Sequence, residues 1–245
     1  MPRPGRDGRY HHGDLRAALI DAAVEIIGER GVRGFSLAEA SRRLGVASSA
    51  PYAHFADRDE FLAAVAVHAY DLFNKQFLPE INEFPEPADR LAALVRSYVR
   101  FAGAHRPLFE VIFVAGLDKI RHPEVKAAEK PFEDAYMDIV RTLSAGDRAP
   151  APESGDLTGE PRTSAPESGD LTGEAGTPGP ESGHLTGEAG DLAAAVEAAA
   201  YGHAMLLLNG DYGDGDEAVE LAADRAARAT LALVEGRHLL RRRAP

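Results

Sequence analysis

The chain has 245 residues, 44% of them hydrophobic, and no cysteine, which gives ample material for a packed core and leaves no disulfide, thiolate metal site or cysteine nucleophile. Its formal charge of −12 is unevenly spread: residues 1–58 carry nine Lys or Arg against seven Asp or Glu, and residues 59–245 carry 18 against 32. An acidic body with a mildly basic N-terminal head suits a polyanion contact at one end, while the lack of an N-terminal apolar segment and of any apolar run near the roughly 18 residues of a membrane span predicts a soluble cytoplasmic protein with no membrane partner.

Residues 1–13 are rich in Gly, Arg and Pro and read as a flexible basic arm carrying Arg3, Arg6 and Arg9. From residue 14 onward, Leu15, Ala18, Leu19, Ala22, Ala23, Ile26 and Ile27 recur at three and four, one face of a helix. Asp14 is placed to cap its start and Gly31 its end. "SLAE" at 36–39 is a capping box in which Ser36 accepts from the Glu39 amide and Glu39 reaches back. It opens a short helix with Leu37, Ala40 and Leu44 inward, ended by Gly45. "DRDE" at 57–60 repeats the pattern and opens a long helix carrying Phe61, Leu62, Val65, Tyr70, Phe73 and Phe77 up to Pro79.

Between these helices lies "GVASSAPYAHF", residues 45–55. Pro51 would break a helix interior. With Ser48 as N-cap, however, Ser49, Ala50 and Pro51 fall in the first turn, whose N–H groups have no helical partner anyway. A short helix can then run from Ser49 to about Phe55, with Val46 and Phe55 as its anchors and Tyr52 facing solvent. A capped helix, a glycine turn and a short exposed helix form a helix-turn-helix over residues 14–60. Its hydroxyls and phenol suit phosphate oxygens and base edges, and Ser36 opens a helix end that favours a phosphate.

The remainder also reads as helical. Residues 87–105 place Leu91, Leu94, Val95, Tyr98 and Phe101 on one side, Pro107 restarts a short apolar helix, and Pro123 opens another that runs to about Ser144. Residues 191–209 and 216–240 read as two final helices. No period-2 strand is visible, so the fold class is all-α: an N-terminal three-helix head, then a helical body over 61–145 and 191–245. The segment 146–190 breaks the pattern, because 151–164, 165–178 and 179–192 are three copies of a 14-residue unit with Pro, several Gly and, within 146–190, one large leucine each. Such a unit buries too little to offset its ordering entropy, so it reads as a disordered acidic insertion, with a partner-docking role as the alternative.

The span from Ala17 to Val65 resembles the DNA-binding domain of TetR-family transcriptional regulators, through Tyr52, His54, Phe55, Arg58 and Phe61 in the spacing Tyr, gap, His-Phe, gap, basic, gap, apolar. "RYHHGDLRAAL" together with "SSAPYAHF" is similar to the subgroup whose C-terminal domain bears a Trp-His-Gly motif. The nearest match here, "AYGHAMLLLNGD", keeps His203 but has Ala199 and Ala204 in place of the Trp and Gly. The resemblance implies a double-stranded DNA operator as partner. Tyr52 and His54 would touch phosphates or bases, Ser36 and Arg58 would grip the backbone, and Ser48, Ser49 and Ala50 would face base edges. The basic arm would follow the minor groove. It also implies a homodimer formed by the last two helices, with reading helices about 34–36 Å apart on a palindromic operator, and a small-molecule effector that releases a repressor from DNA. An activator of the same fold, or a helical sensor acting through protein partners, stays open.

For the effector, an apolar cavity between body helices is expected, with Phe73, Phe77, Tyr98, Phe101, Phe113, Met137 and His203 as candidate lining. "HHGD" at 11–14 lacks further ligands at helical spacing, and "DYGDGDE" at 211–217 fails the calcium-loop spacing, so no metal is expected. "RRR" at 241–243 reads as a solvated tail. There is no Walker loop, GxGxxG, GxSxG or HExxH, so neither a cofactor nor an enzyme is expected.

Overall fold

The structure, a computed structural model, describes residues 12–113, 115–145, 185 and 187–239. Among them the regular elements are helical throughout. Helix α1 spans His12–Arg30, α2 Leu37–Leu44, α3 Arg58–Gln76, α4 Leu78–Ile81, α5 Pro87–Ala104, α6 Arg106–Phe113, α7 Pro123–Ala145, α8 Glu188–Leu208 and α9 Gly215–Glu235. Short 3-10 turns occupy Val32–Gly34, Ala50–Ala53 and Arg237–Leu239.

Two helix starts differ from expectation. Helix α1 begins at His12, so Asp14 is its third residue and not its cap. Its other end is as expected: Gly31, at φ 69°, donates its N–H to Ile27 O at 2.7 Å. Helix α8 begins at Glu188, which takes the end of the third repeat out of the insertion. The repeat's Leu185 also packs on the core, its carbonyl lying where a Cβ on Gly190 would be, 2.4 Å away. The divergent "DL" that closes the third copy is the reason: Leu192 is fully buried in α8. The rest of the insertion, Arg3, Arg6, Arg9 and residues 241–243 lie outside the described residues.

The head is held by local chemistry. Ser36 caps α2 by accepting from the Glu39 amide at 3.2 Å, and Asp57 caps α3 by accepting from the Glu60 amide at 2.8 Å. Helix α2 ends in a Schellman motif: Gly45, at φ 67°, donates to Arg42 O, and Val46 donates to Ser41 O at 3.1 Å. Helix α3, about 28 Å long at 1.5 Å per residue, serves both halves of the molecule. Its first turns bury Phe61, Leu62 and Val65, and its last turns bury Tyr70 and Phe73. Below it, Asn74 donates to Ala128 O at 2.8 Å, inside the turn of α7 that Pro131 loosens by removing an N–H.

In the body α5 lies against α9 and α8, with α7 closing the other side. Helix α8 is long and apolar enough to span a membrane by length and composition, but it packs as a bundle helix with Leu192, Val196, Ala200 and Ala204 buried. Helices α5 and α9 approach closely at Gly103, where a Cβ would stand 2.6 Å from Val219 Cγ2. Gly103→Ala is therefore expected to destabilise the protein by about 1–3 kcal/mol, the scale of overpacking, in a urea melt. Adding Val219→Ala, which empties the colliding position, is expected to recover part of that loss.

Candidate functional site

The segment after Gly45 is tighter than a regular α-helix. Ala50 donates to Ala47 O at 2.9 Å, Tyr52 to Ser49 O at 3.2 Å and His54 to Pro51 O at 2.9 Å, so each closes a three-residue turn. The expected helix over Ser49–Phe55 is thus a 3-10 turn over Ala50–Ala53. Its N-cap is Ser49, not Ser48, and no side-chain cap bond is made. Two anchors leave no room for a longer helix: Phe55 is drawn into the core, and Asp57 must turn extended to cap α3. Pro51 falls at the second position, where it breaks no helical bond. Its ring is buried, and its carbonyl accepts from both His54 and Phe55.

Phe55 is 2% exposed, packs edge-on against Phe61 at 4.6 Å between centroids, and carries the Arg16 guanidinium 5.3 Å from its ring centre. Phe61 in turn stacks on Phe35 at 5.0 Å. With Phe55 held inside, Tyr52 is turned outward at 58% exposure, flanked by exposed Ser48 and Ser49 and half-buried Ala50 and His54. Ser36, exposed at the start of α2, completes a surface of hydroxyls and a helix N-terminus.

Two arginine and carboxylate assignments differ from the sequence pattern. Glu39 does not close its box on Ser36; its carboxylate takes a bidentate bond from Arg42, at 2.9 and 2.7 Å. That bond is the main reason its pKa is lowered. Arg43 pairs with Glu29 in the same way, tying α2 to α1. Arg58, expected to grip the DNA backbone, donates instead to the carbonyls of Val32, at 2.7 Å, and Phe35. It clamps the turn between α1 and α2. Glu60 reaches back beyond the cap to accept from the Ala56 amide.

The body holds a chain of small voids. The first, about 30 Å³, lies between α5, α7 and α8 against Leu94, Tyr98, Phe132, Tyr136, Val196 and Glu197. Phe73, Phe101 and Phe113 meet Tyr98 around a second, and Met137 meets Tyr136 and Glu197 at a third. Phe77 lines none of these three; it stacks on Phe73 at 5.6 Å. His203 lies apart from them, its Nδ1 2.5 Å from the Tyr212 hydroxyl, and its pKa is lowered by burial. Glu197, an acid in the alanine-rich part of α8, has no motif around it that would single it out in the sequence. Burial raises its pKa to about 7. Nor has Glu129 a local signal; it is 4% exposed and accepts from Tyr70 at 2.9 Å and Lys119 at 2.6 Å. Glu129 thereby joins α3 to α7.

Glu197 is expected to make stability pH-dependent. Its folded-state pKa is raised, so the folded protein binds the proton more tightly than the unfolded chain does. Stability is lost as pH rises from the ordinary carboxylate range toward about 7 and is level above it. Glu197→Gln should therefore raise the melting temperature at pH 8 and leave it unchanged at pH 4. For Arg58, replacement by Ala is expected to cost about 1.5 kcal/mol of folding stability, the scale of one hydrogen bond from a charged donor, in a denaturant melt without DNA.

Residues 19–65 match the family model described as bacterial regulatory proteins, tetR family, and residues 91–230 match the one described as tetracyclin repressor-like, C-terminal domain. The HTH-type transcriptional activator FasR of Mycolicibacterium smegmatis is 26% identical over 142 residues, which is 58% of this chain and 64% of FasR. The HTH-type transcriptional regulator BetI of Brucella canis is 28% identical over 89 residues, 36% of this chain and 44% of BetI. The chain thus spans less than two thirds of the length of these curated relatives. Among solved structures, a protein of unknown function from Rhodococcus sp. RHA1 is 26% identical with a TM-score of 0.57, over 91% of this chain and 98% of that one. FadR from Bacillus subtilis, solved with stearoyl-CoA, is 15% identical with a TM-score of 0.53 over 89% and 96%, a likeness of fold. With more than half of the chain inside the second family match, the chain belongs to the tetR family of bacterial transcriptional regulators.

Proposed function

We propose that this regulator is a homodimeric repressor in the cytoplasm, released from a palindromic operator by a small molecule. The observation that carries the DNA-binding reading is the outward presentation of Tyr52 and its flanking serines by the buried Phe55. Tyr52 and His54 contact phosphates or bases, Ser48, Ser49 and Ala50 face base edges, and Ser36 holds a phosphate at the start of α2. Arg58 acts at one remove, by fixing the α1–α2 turn. Exposed Leu206 on α8 and Leu221 on α9 support dimerisation through these two helices. Ala194, Ala198 and Gly202 let α8 approach a partner closely.

The effector enters the seam between α5, α7 and α8. Because Tyr70 and Phe73 of α3 reach the same seam, widening it shifts the helix that carries the head. The ligand changes occupancy of the operator only by as much as its affinities for the two head spacings differ. A second reading, transcriptional activation, is favoured by FasR, which is described as an activator.

Binding to DNA flanking the chain's own coding sequence, measured by gel shift across a salt series, is expected to weaken steeply as salt rises. A flat salt response would remove phosphate contacts from the account. Tyr52→Ala is expected to weaken binding by about 1–3 kcal/mol without lowering the melting temperature. An unchanged affinity would take Tyr52 out of the interface.

A further inference from the structure

The void between α5, α7 and α8 has a largely apolar lining that includes two tyrosines and one acid. The Tyr98 hydroxyl is buried and has no hydrogen-bond partner. The other hydroxyl on the seam, Tyr136, is already spent on Ala193 O at 2.7 Å. Glu197 lines the same void, and among the described residues its carboxylate forms no ion pair. A buried hydroxyl without a partner and an unpaired carboxylate are both costly, and a native protein retains such groups where something else satisfies them. Lys119 is taken up by Glu129, and Lys126 lines the outer end of the seam together with Glu129, Glu133 and Glu197.

We propose that the seam binds a lipophilic cation, an ammonium on an aryl or alkyl body, whose charged nitrogen sits between the Glu197 carboxylate and the Tyr98 hydroxyl. This rests on the effector reading above and gives that effector its chemical class. The ammonium N–H groups donate to the carboxylate and to the phenol oxygen. The rings of Tyr98, Tyr136 and Phe132 add cation–π attraction. A neutral hydrophobe fills the same space and leaves both polar groups unsatisfied, and an anion places like charge beside Glu197. The void of about 30 Å³ holds little more than a water. Binding therefore has to part α5 from α7, and the seam runs on past Tyr98 and Phe132 to Tyr70 and Phe73 of α3.

The test is calorimetric titration of the full chain at pH 8 with three probes of one skeleton: 4-phenylbutylammonium, 4-phenylbutanol and 4-phenylbutanoate. The ammonium is expected to bind about tenfold tighter than the alcohol or better, and the carboxylate more weakly than either. Glu197→Gln is expected to bring the ammonium down to the alcohol, and Tyr98→Phe to weaken the ammonium more than the alcohol. Equal affinity for ammonium and alcohol, a preference that survives Glu197→Gln, or no binding by any probe overturns the proposal. A salt-dependent gel shift on the same preparation separates the two readings. If DNA is bound and the ammonium is not preferred, the cation class fails and the DNA-binding regulator stands. If the ammonium is preferred and no DNA is bound, the regulator reading fails instead.

Discussion

The head depends on one buried ring. Phe55 ends a segment too short to stabilise itself: four residues of 3-10 turn, with no side-chain cap. An isolated helix of that length is far below what holds together in water. Its conformation is imposed from both ends. The Schellman closure at Gly45 fixes where the chain leaves α2, and the packing of Phe55 on Phe61 fixes where it must return. Between those two points a chain this short has little choice of path. The side chains that are not used as anchors, Ser48, Ser49 and Tyr52, are left facing water.

Helix α3 turns this local device into part of a larger machine. The same continuous helix holds Phe61 in the core of the head and Tyr70 and Phe73 in the core of the body. Tyr70 is tied through Glu129 to Lys119, and Asn74 is tied to α7 beside Pro131. A rearrangement around the seam has a rigid path to the head, because a helix of about 28 Å transmits a tilt of its end. In this fold the connection is covalent and helical, so no chain of weak contacts has to be invoked.

What was legible in the sequence was what short-range chemistry decides. Ser36 and Asp57 could be named as caps because a cap needs only the next three residues. Gly45 could be named as a stop, and Pro51 as a first-turn residue, for the same reason. Where tertiary contacts compete, the folded chain supplies partners that the local pattern does not name. Glu39 satisfies the capping-box pattern, yet Arg42 one turn on offers a charged, bidentate donor and wins its carboxylate. Arg58 occupies a position that reads as a DNA grip, yet the Val32 carbonyl lies within reach and holds it. Ser48 lost the cap to Ser49 because Phe55 and Asp57 shorten the turn from the far end. The seam was the least legible part. Aromatic residues at helical spacing name a core, and only the folded packing reveals that Tyr98 lacks a partner or that Glu197, in a run of alanines, faces the same void.

The surface proposed to meet DNA is the 3-10 turn held by Phe55. Amide hydrogen exchange with and without operator DNA tests that proposal directly. DNA is expected to slow exchange at the amides of Ser48, Ser49, Ala50, Tyr52, Ala53 and His54 and at the first turn of α2 after Ser36. Little change is expected in α8 and α9. Unchanged exchange at those turn amides, with protection elsewhere on the head, would contradict the proposal.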